Sequence, residues 1–217
     1  MRARRCWALV VCALDACTAP VRPPAPSEPA ASTVDSLAAA VDTRARRSEH
    51  EPDARIRGEL ATQAGWDAEQ CVSRAPEAAA CQYARGIALG LDAREHPLRA
   101  SAALSDMLAS LAKAEAADPH YDSAGPARVR ALVLTRAPSW PLGPGDPEEG
   151  LAAARRAVAL NPEHPPNWLA LAEAQAKTGD AQEVRASYER ARDAARALPP
   201  SQDREEWLAE AQTALAK

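Results

Sequence analysis

The hydrophobic positions of this chain recur at helical spacing between short turns rich in proline and glycine. Small and aliphatic side chains return every three or four residues in the stretches 101–119, 147–162, 165–198 and 204–216. An earlier pair of helices is expected at about 53–73 and 76–95. Alternating runs of β-branched and aromatic residues, which are typical of strands, are missing. The pattern therefore predicts an all-α fold.

Residues 165–198 match the 34-residue tetratricopeptide repeat, which is a helix–turn–helix unit. The matching positions lie on both helices and on the turn, and they are Trp168, Leu171, Ala172, Gly179, Tyr188 and Ala191. Ala172 and Ala191 fall where two helices cross too closely for a larger side chain. Gly179 permits the left-handed residue that ends the first helix.

Two earlier helices end in a proline at the same point of the repeat, at Pro119 and Pro162. These two prolines lie more than one repeat length apart. The additional residues lie in a proline-rich segment, residues 137–146, which we call the insert. Segment 204–216 has one apolar face that would cover the open end of the stack. The sequence thus predicts about three and a half tetratricopeptide-type hairpins in a right-handed superhelix with a C-terminal capping helix, over residues 34–217.

The N-terminus carries the pattern of a bacterial export signal. A basic start precedes the apolar stretch 6–14, which suits a signal peptide and is too short to span a bilayer. The sequence Leu-Asp-Ala-Cys at 14–17 resembles the lipobox of bacterial lipoproteins, in which the cysteine is lipidated and becomes the first mature residue. We expect a signal peptide at 1–16 and lipidation at Cys17. Ordinary secretion with cleavage near Ala19 is the alternative.

Residues 17–33 form a proline-rich segment that we expect to be an extended linker between the anchor and the folded part. The acyl chains that the lipoprotein resemblance implies would hold the protein stably at a membrane. Thr18 follows the cysteine, whereas aspartate at this position is associated with retention at the inner membrane in Gram-negative lipoproteins. The expected location is the periplasmic face of the outer membrane.

Two cysteines, Cys71 and Cys81, lie in the part expected to fold. They flank a predicted turn at 73–76, each about one helical turn away from it, so that their side chains can face each other. Because an exported protein is exposed to an oxidising compartment, we predict a disulfide. Two buried thiols in an alanine-rich interface are the alternative. No further cysteine or histidine is placed to complete a zinc site.

Charge and motifs argue against two classes of function. The net charge is −4 and no basic stripe is present, so nucleic-acid binding is not expected. A phosphate-binding loop, a nucleophile elbow and a pair of histidines on one helix are all missing. The sequence therefore predicts no enzyme, no cofactor and no metal. The histidines lie near helix ends, where we expect them to act as caps: His50, His96, His120 and His164.

A narrower resemblance begins at Asp-Pro-His-Tyr-Asp, residues 118–122. It continues with Gly-Pro-Ala-Arg-Val at 125–129, Ala-Pro-Ser-Trp-Pro-Leu-Gly at 137–143 and Gly-Asp at 145–146. These motifs resemble the T component associated with tripartite ATP-independent periplasmic (TRAP) transporters, over about residues 71–195. The resemblance implies a tetratricopeptide-repeat lipoprotein that partners a periplasmic solute-binding protein and contributes a hydrophobic pore or ligand path.

The resemblance directs attention to four residues in and beside the insert. Arg128 and Arg136 either pair with Asp146 or face a groove. Trp140 either anchors a partner from a rigid loop or folds back as a plug for the gap that the insert opens between helices. Of these two interpretations of Trp140, we favour the plug.

The first helix of segment 165–198 adds Leu169, Glu173 and Lys177 as residues expected to face a peptide-binding groove, with a solvated helix face as the alternative. Binding of a protein or ligand is the predicted function, and three forms of it remain open. The first is a TRAP-associated component that works with a solute-binding partner. The second is an envelope scaffold or assembly factor that docks peptides in its concave face. In the third, the repeats associate into a structural homo-oligomer.

Overall fold

The structure, a computed structural model, describes residues 33–179 and 181–216. Within these ranges nine α-helices follow one another: α1 (Val34–Glu49), α2 (Ala54–Arg74), α3 (Ala79–Glu95), α4 (Ala100–Ala117), α5 (Tyr121–Arg136), α6 (Pro147–Leu160), α7 (Pro165–Thr178), α8 (Ala181–Ala197) and α9 (Gln202–Leu215). One turn of 3-10 helix, Pro97–Arg99, joins α3 to α4. The expected signal peptide, the expected lipid acceptor Cys17 and the expected linker up to residue 32 lie outside the described residues.

The helices pack in two layers. Each helix contacts its neighbours in the chain, and the odd-numbered helices also contact each other in the order α1, α3, α5, α7 and α9. The even-numbered helices make no such contacts with one another in the described ranges. The odd-numbered helices therefore form an inner layer and the even-numbered helices an outer layer, which confirms the predicted all-α stack of hairpins.

The pairing of the helices differs from the sequence prediction in one respect. Helix α1, which the hydrophobic pattern did not single out, packs against both α2 and α3. The segment expected at 53–73 is therefore the second helix of a pair, and the described chain contains four hairpins followed by the capping helix α9. The pattern missed α1 because its polar residues outnumber the apolar residues that it buries, Leu37, Ala38, Val41 and Ala45.

Small side chains make up much of the core. Ala114, Ala157, Ala172 and Ala191, which the sequence places at helix crossings, have no exposed surface. A methyl group at a crossing lets two helices approach closely, so that many short contacts replace a few large aromatic ones. Since no space is left there, a larger side chain at any of these four positions would force the helices apart.

A disulfide joins Cys71 in α2 to Cys81 in α3, with an S–S distance of 2.05 Å. Both cysteines are fully buried, and they pack with Leu37 and Val41 of α1 in the first hydrophobic cluster. The bond therefore lies inside the first three helices. A cross-link over a loop of this length stabilises a protein by about 2–3 kcal/mol, mainly by restricting the unfolded chain.

The predicted helix ends are also present. Gly179 ends α7 in the left-handed conformation, with φ 104°, and the histidines occupy cap positions of α1, α3, α5 and α7.

Helix α9 covers α8, and its Trp207 packs beside Trp168 and Tyr188. None of the helices in the described residues is long and apolar enough to cross a membrane.

Candidate functional site

The inner layer surrounds a groove of about 640 Å³, to which all five odd-numbered helices contribute. The two ends of the stack meet across it. Arg46 Nη1 of α1 lies 3.2 Å from Asp203 Oδ2 of α9, and His50 Nε2 of α1 lies 3.6 Å from Glu206 Oε1 of α9. Side chains of the first and last inner helices thus close a ring around the groove at the α1–α9 seam, through one arginine–aspartate ion pair and one histidine–glutamate contact between exposed groups. The backbones of α1 and α9 do not approach each other closely in the described residues.

A left-handed turn forms one side of the groove at the start of α5. Asp122, Ser123 and Ala124 have φ values of 48°, 56° and 66°. Residues other than glycine rarely adopt this conformation, and each one that does costs about 1–3 kcal/mol. Right-handed helix begins only at Gly125, so the Gly-Pro-Ala-Arg-Val motif starts the regular part of α5. Pro126 suits the first turn of that part, where its missing N–H is not needed.

Polar side chains hold the left-handed turn in place. Arg128 Nη1 donates to the carbonyl oxygens of Asp122 and Ser123, at 3.2 and 3.3 Å, and Nη2 donates to the Asp122 carboxylate at 2.8 Å. The buried Asn167 of α7 accepts from Arg128 Nη1 at 3.1 Å and donates to the Ser123 carbonyl at 3.0 Å. The Tyr83 hydroxyl donates to the Asp122 carboxylate at 2.7 Å. Side chains of three inner helices therefore meet at this turn.

Gly125 leaves the space that this polar network needs. A Cβ atom at this position would lie 2.7 Å from Asp122 Oδ2 and 2.9 Å from the Tyr83 hydroxyl. The backbone of Gly125 itself is not left-handed. The glycine of the motif is therefore explained by the close approach of the Asp122 carboxylate, since any side chain would displace it.

Aromatic rings form much of the groove wall. The rings of Tyr83 and Tyr121 pack edge to face with centroids 5.3 Å apart, and those of His164 and Trp207 do so at 5.5 Å. Burial raises the pKa of both tyrosines. Burial, and then the charge of Arg128, lower the pKa of His164 to about 4. These rings are consequently uncharged at neutral pH.

The charged residues that line the groove are mostly acidic. They comprise six carboxylates and two arginines: Asp35, Asp42, Glu49, Asp122, Asp203, Glu206, Arg46 and Arg128. Arg46 already bonds to Asp42 at 3.0 Å and to Asp203 at 3.2 Å, and Arg128 to Asp122 at 2.8 Å. The groove therefore carries excess negative charge, most of it on α1 and α9.

An apolar cleft of about 510 Å³ adjoins the groove, between α3, α4 and α5. Leu104 and Met107 of α4 line it together with Leu132 of α5. Val129 lines both the cleft and the groove, so the two spaces adjoin. Gly90 of α3 allows this packing, because a Cβ atom there would lie 3.1 Å from the Met107 side chain.

The insert is a loop that closes on its own backbone. The Gly145 N–H donates to the Pro138 carbonyl at 2.9 Å. Only glycine fits at position 145, because a Cβ atom would lie 2.1 Å from the Ala137 carbonyl oxygen. The Asp146 side chain then accepts from the Glu149 N–H at 3.1 Å and caps α6. The insert therefore connects α5 to α6 without relying on long-range side-chain packing.

The structure corrects the interpretation of Trp140. Its side chain is 86% exposed, and that of the neighbouring Leu142 is 77% exposed. The expectation that Trp140 plugs a gap between helices is therefore wrong. The loop does not need the Trp140 ring to close it, because backbone hydrogen bonds do so. One of them runs from the Leu142 N–H to the Ser139 carbonyl at 3.1 Å.

Of the two alternatives for Arg128 and Arg136, the structure excludes pairing with Asp146 and supports the other, since Arg128 faces the groove and Arg136 the apolar cleft. Arg128 lines the groove and binds Asp122. Arg136 makes two hydrogen bonds to Glu173 of α7, at 2.7 and 2.6 Å. Asp146 is not available to either arginine because its carboxylate caps α6.

The residues predicted on α7 do not line the groove. Leu169 is buried and packs with Ala191 and Ala211, so the expectation that it faces the groove is wrong. Glu173 is bound to Arg136, and Lys177 is exposed outside the groove lining. Leu169 is buried because α9, the capping helix, packs its Ala211 against the side of α7 that carries Leu169.

Several groove residues were not predicted from the sequence: Tyr83, Asn167, Trp207 and the carboxylates of α1. They lie far apart in the chain, and no motif connects them. One signal was available for Asp122, which ends the Asp-Pro-His-Tyr-Asp motif six residues before Arg128. That spacing does not indicate a left-handed turn, and the contact between the two side chains depends on it.

No family model and no curated protein matches the sequence. Among solved structures, the chain is similar to a thermophilic tetratricopeptide-repeat protein of Thermus thermophilus. The TM-score is 0.57 at 23% sequence identity, and the match covers 83% of this chain and 92% of that chain. This likeness shows that the fold is of the tetratricopeptide-repeat type.

Proposed function

We propose that this chain is a lipid-anchored tetratricopeptide-repeat protein of the bacterial envelope that binds a partner protein in its groove and catalyses no reaction. The observation that supports this most is the closed ring of inner helices around the groove. Concave surfaces of helical repeats suit extended ligands, because successive repeats present side chains along one continuous path.

The left-handed turn favours the groove over the outer layer as the binding site. Three consecutive left-handed residues are retained there, and Arg128, Asn167 and Tyr83 hold them in place. Backbone strain of this kind concentrates at binding sites, where it positions side chains in advance. The aromatic rings beside the turn add a large contact surface that loses little entropy on binding.

Within this class we propose association with a TRAP-type transporter through its solute-binding partner. The support is the resemblance of residues 118–146 to the T component of that system. Asp122, Gly125 and Arg128, which belong to those motifs, also take part in one network at the groove. A general envelope scaffold that binds peptides in its concave face is the second candidate, and the likeness of the fold to a tetratricopeptide-repeat protein supports it equally.

Site-directed photo-crosslinking in living cells tests the proposed site. A photoreactive residue replaces Ile87, which lines the groove, and in a second variant it replaces Asp106 on the outer helix α4. We expect a solute-binding protein to be crosslinked at position 87 and not at position 106. Crosslinks confined to position 106 would contradict the groove as the binding site. Crosslinking of a secretion or outer-membrane assembly protein at position 87 would favour the scaffold alternative.

The proposed anchor has its own test. Cys17→Ser removes the acceptor of the lipid, so we expect the protein to move from the membrane fraction to the soluble periplasmic fraction. Metabolic labelling with a radioactive fatty acid should mark the natural chain and not the variant. Continued retention of the variant in the membrane fraction would argue against lipid anchoring at this cysteine.

A further inference from the structure

Several carboxylates of α1 and α9 that line the groove have no close cationic partner of their own. Among the described residues, Asp35 at the start of α1 and Glu49 at its end have no arginine, lysine or histidine nitrogen within ion-pair distance. Glu206 of α9 has only the His50 imidazole, at 3.6 Å. Partial burial raises the pKa of Glu49; the charges of His50, Arg46 and Arg94 lower it in part, and the charge of Glu206 makes the smallest contribution to the rise. A cation placed between Glu49 and Glu206 would favour the charged form of both carboxylates.

The groove also offers uncharged aromatic surface beside these carboxylates. Trp207 and Tyr121 line it, and His164 is neutral at physiological pH because of its lowered pKa. A guanidinium or ammonium group is attracted both to carboxylates and to the faces of aromatic rings. An anionic ligand would meet unfavourable charge, since both arginines of the groove are already paired with carboxylates.

The carboxylates are not arranged for a metal ion, because no group of three or more potential ligand side chains lies close together in the described residues. A space of about 640 Å³ holds several side chains. The neighbouring cleft of about 510 Å³ is lined mainly by apolar side chains, and the two arginines in its lining, Arg94 and Arg136, are bound to Glu95 and Glu173. An occupant that reaches both spaces needs cationic and aliphatic groups a few residues apart. An extended peptide provides both.

We propose that the groove binds an extended, positively charged segment of the partner protein, with arginine or lysine side chains at the α1–α9 seam and an aliphatic side chain in the cleft. This inference rests on the proposed function, since it assumes that the groove is where a partner binds. It adds the chemistry of the segment that is recognised. It also predicts binding that weakens with salt, because unpaired surface charges attract a ligand less when they are screened.

Fluorescence anisotropy with three labelled decapeptides tests the inference on the full chain in detergent. The probes alternate leucine with arginine, with glutamine or with glutamate. We expect the arginine peptide to bind at least tenfold more tightly than the glutamine peptide and to lose most of its affinity between 50 and 300 mM salt. We expect no binding of the glutamate peptide. Binding of the glutamine or glutamate peptide at equal affinity, or failure of all three to bind, would overturn the inference.

Matched charge variants locate the effect. Glu49→Gln with Glu206→Gln should weaken binding of the arginine peptide at least fivefold. Asp106→Asn with Glu148→Gln removes the same charge from exposed positions of the outer helices α4 and α6 and should leave binding unchanged. Equal losses in both variants would show attraction by net charge alone and would contradict a site in the groove.

Asp35→Asn provides a test that cannot loosen the ring, because Asp35 makes no ion pair to α9 in the described structure. We expect a twofold to fivefold loss of affinity with an unchanged melting temperature, and an unchanged affinity would count against the inference. The photo-crosslinking experiment separates the two proposals. A partner captured at position 87 together with no preference for the arginine peptide would leave the groove as the binding site and refute only its charge specificity.

Discussion

Two irregular segments flank the regular part of α5, and they are stabilised in opposite ways. The left-handed turn before it is held by side chains of α3, α5 and α7. The insert after it closes through its own backbone hydrogen bonds and exposes its largest side chains, Trp140 and Leu142. The first segment therefore depends on the assembled stack, whereas the second depends mainly on local sequence. Changes in the turn should affect the whole protein, and changes at the tip of the insert should not.

The largest effect is expected for Asn167→Ala. The Asn167 side chain is fully buried, and the two hydrogens of its Nδ2 are shared among the carbonyl oxygens of Ser123, Ala157 and Asn161, at 3.0, 3.1 and 2.9 Å. The substitution removes these hydrogen bonds and the acceptor for one Arg128 bond, although the Ser123 oxygen keeps Arg128 and the Ala157 oxygen keeps the Asn161 N–H as a donor. Each lost hydrogen bond costs about 0.5–1.5 kcal/mol, and loss of the side-chain donor to the Asn161 oxygen about 1–3 kcal/mol, so we expect a loss of about 3–5 kcal/mol in the free energy of unfolding.

Urea denaturation followed by circular dichroism measures this loss. Asn161→Ala is the matched control, because the Asn161 side chain lies nearby and its backbone carbonyl, which the substitution retains, accepts the bond from Asn167. We expect the control to lose less than about 1 kcal/mol. A loss of that size for Asn167→Ala as well would mean that the network does not hold the left-handed turn.

Two glycine substitutions compare the segments directly. At Gly145 the added Cβ meets the backbone of Ala137 at 2.1 Å, so the loop must change shape, and we expect a loss of about 2–3 kcal/mol. At Gly125 it meets the Asp122 side chain and the Tyr83 hydroxyl at 2.7–3.0 Å, and these groups can shift only by weakening their hydrogen bonds, so we expect a loss of about 1–2 kcal/mol. Gly65→Ala in α2, where the Cβ meets nothing within 4 Å, should stabilise the protein by about 0.5–1 kcal/mol. The same denaturation experiment measures all three variants. Equal changes in the free energy of unfolding at Gly145 and Gly125 would contradict the expected difference between the two segments.

The groove beside the turn should also respond to pH. The pKa of His164 is lowered to about 4 in the folded protein, so the unfolded chain binds the proton first as the pH falls through about 6.5. Stability is therefore fully present above that range and is lost between about pH 6.5 and 4. We expect His164 to contribute a loss of about 1 kcal/mol, because solvent screens part of the effect for a partly exposed ring.

Melting temperatures of the natural chain and of His164→Gln, measured from pH 7.5 to 4, check this contribution. The variant should show a smaller decline than the natural chain over that range, whatever its stability at neutral pH. The acidic groups contribute to both proteins alike, so the difference between the two curves isolates His164. Parallel curves would contradict a neutral imidazole at this position of the groove.

The smallest effect is expected at the tip of the insert. Trp140→Ala removes a side chain that is 86% exposed, so we expect the free energy of unfolding to change by less than about 0.5 kcal/mol. Trp207→Ala in α9 should cost more than 2 kcal/mol, since this ring packs against His164 and beside Tyr188. A loss above about 1 kcal/mol for Trp140→Ala in thermal unfolding would show that the ring packs against the stack.

The sequence was informative where a residue acts within its own hairpin. Gly179 ends α7, Ala172 and Ala191 are buried at helix crossings, and Pro162 follows the end of α6. These features depend on backbone geometry and on neighbours a few residues away, which a repeat pattern records. The sequence was misleading for Leu169, because the side of α7 that is buried depends on α9, which lies beyond the repeat itself.

By itself, the sequence determined the all-helical class, the repeat that builds it and most helix ends, since small side chains, glycine and proline act locally on the backbone. Only the tertiary structure decided that α1 and α9 meet and turn an open concave face into a ring. It also decided that Asp122 adopts a left-handed conformation between Tyr83 and Asn167, and that Trp140 points outward. The physical reason is that these outcomes depend on groups separated by tens of residues or more, whose proximity is set by the summed packing of the whole stack.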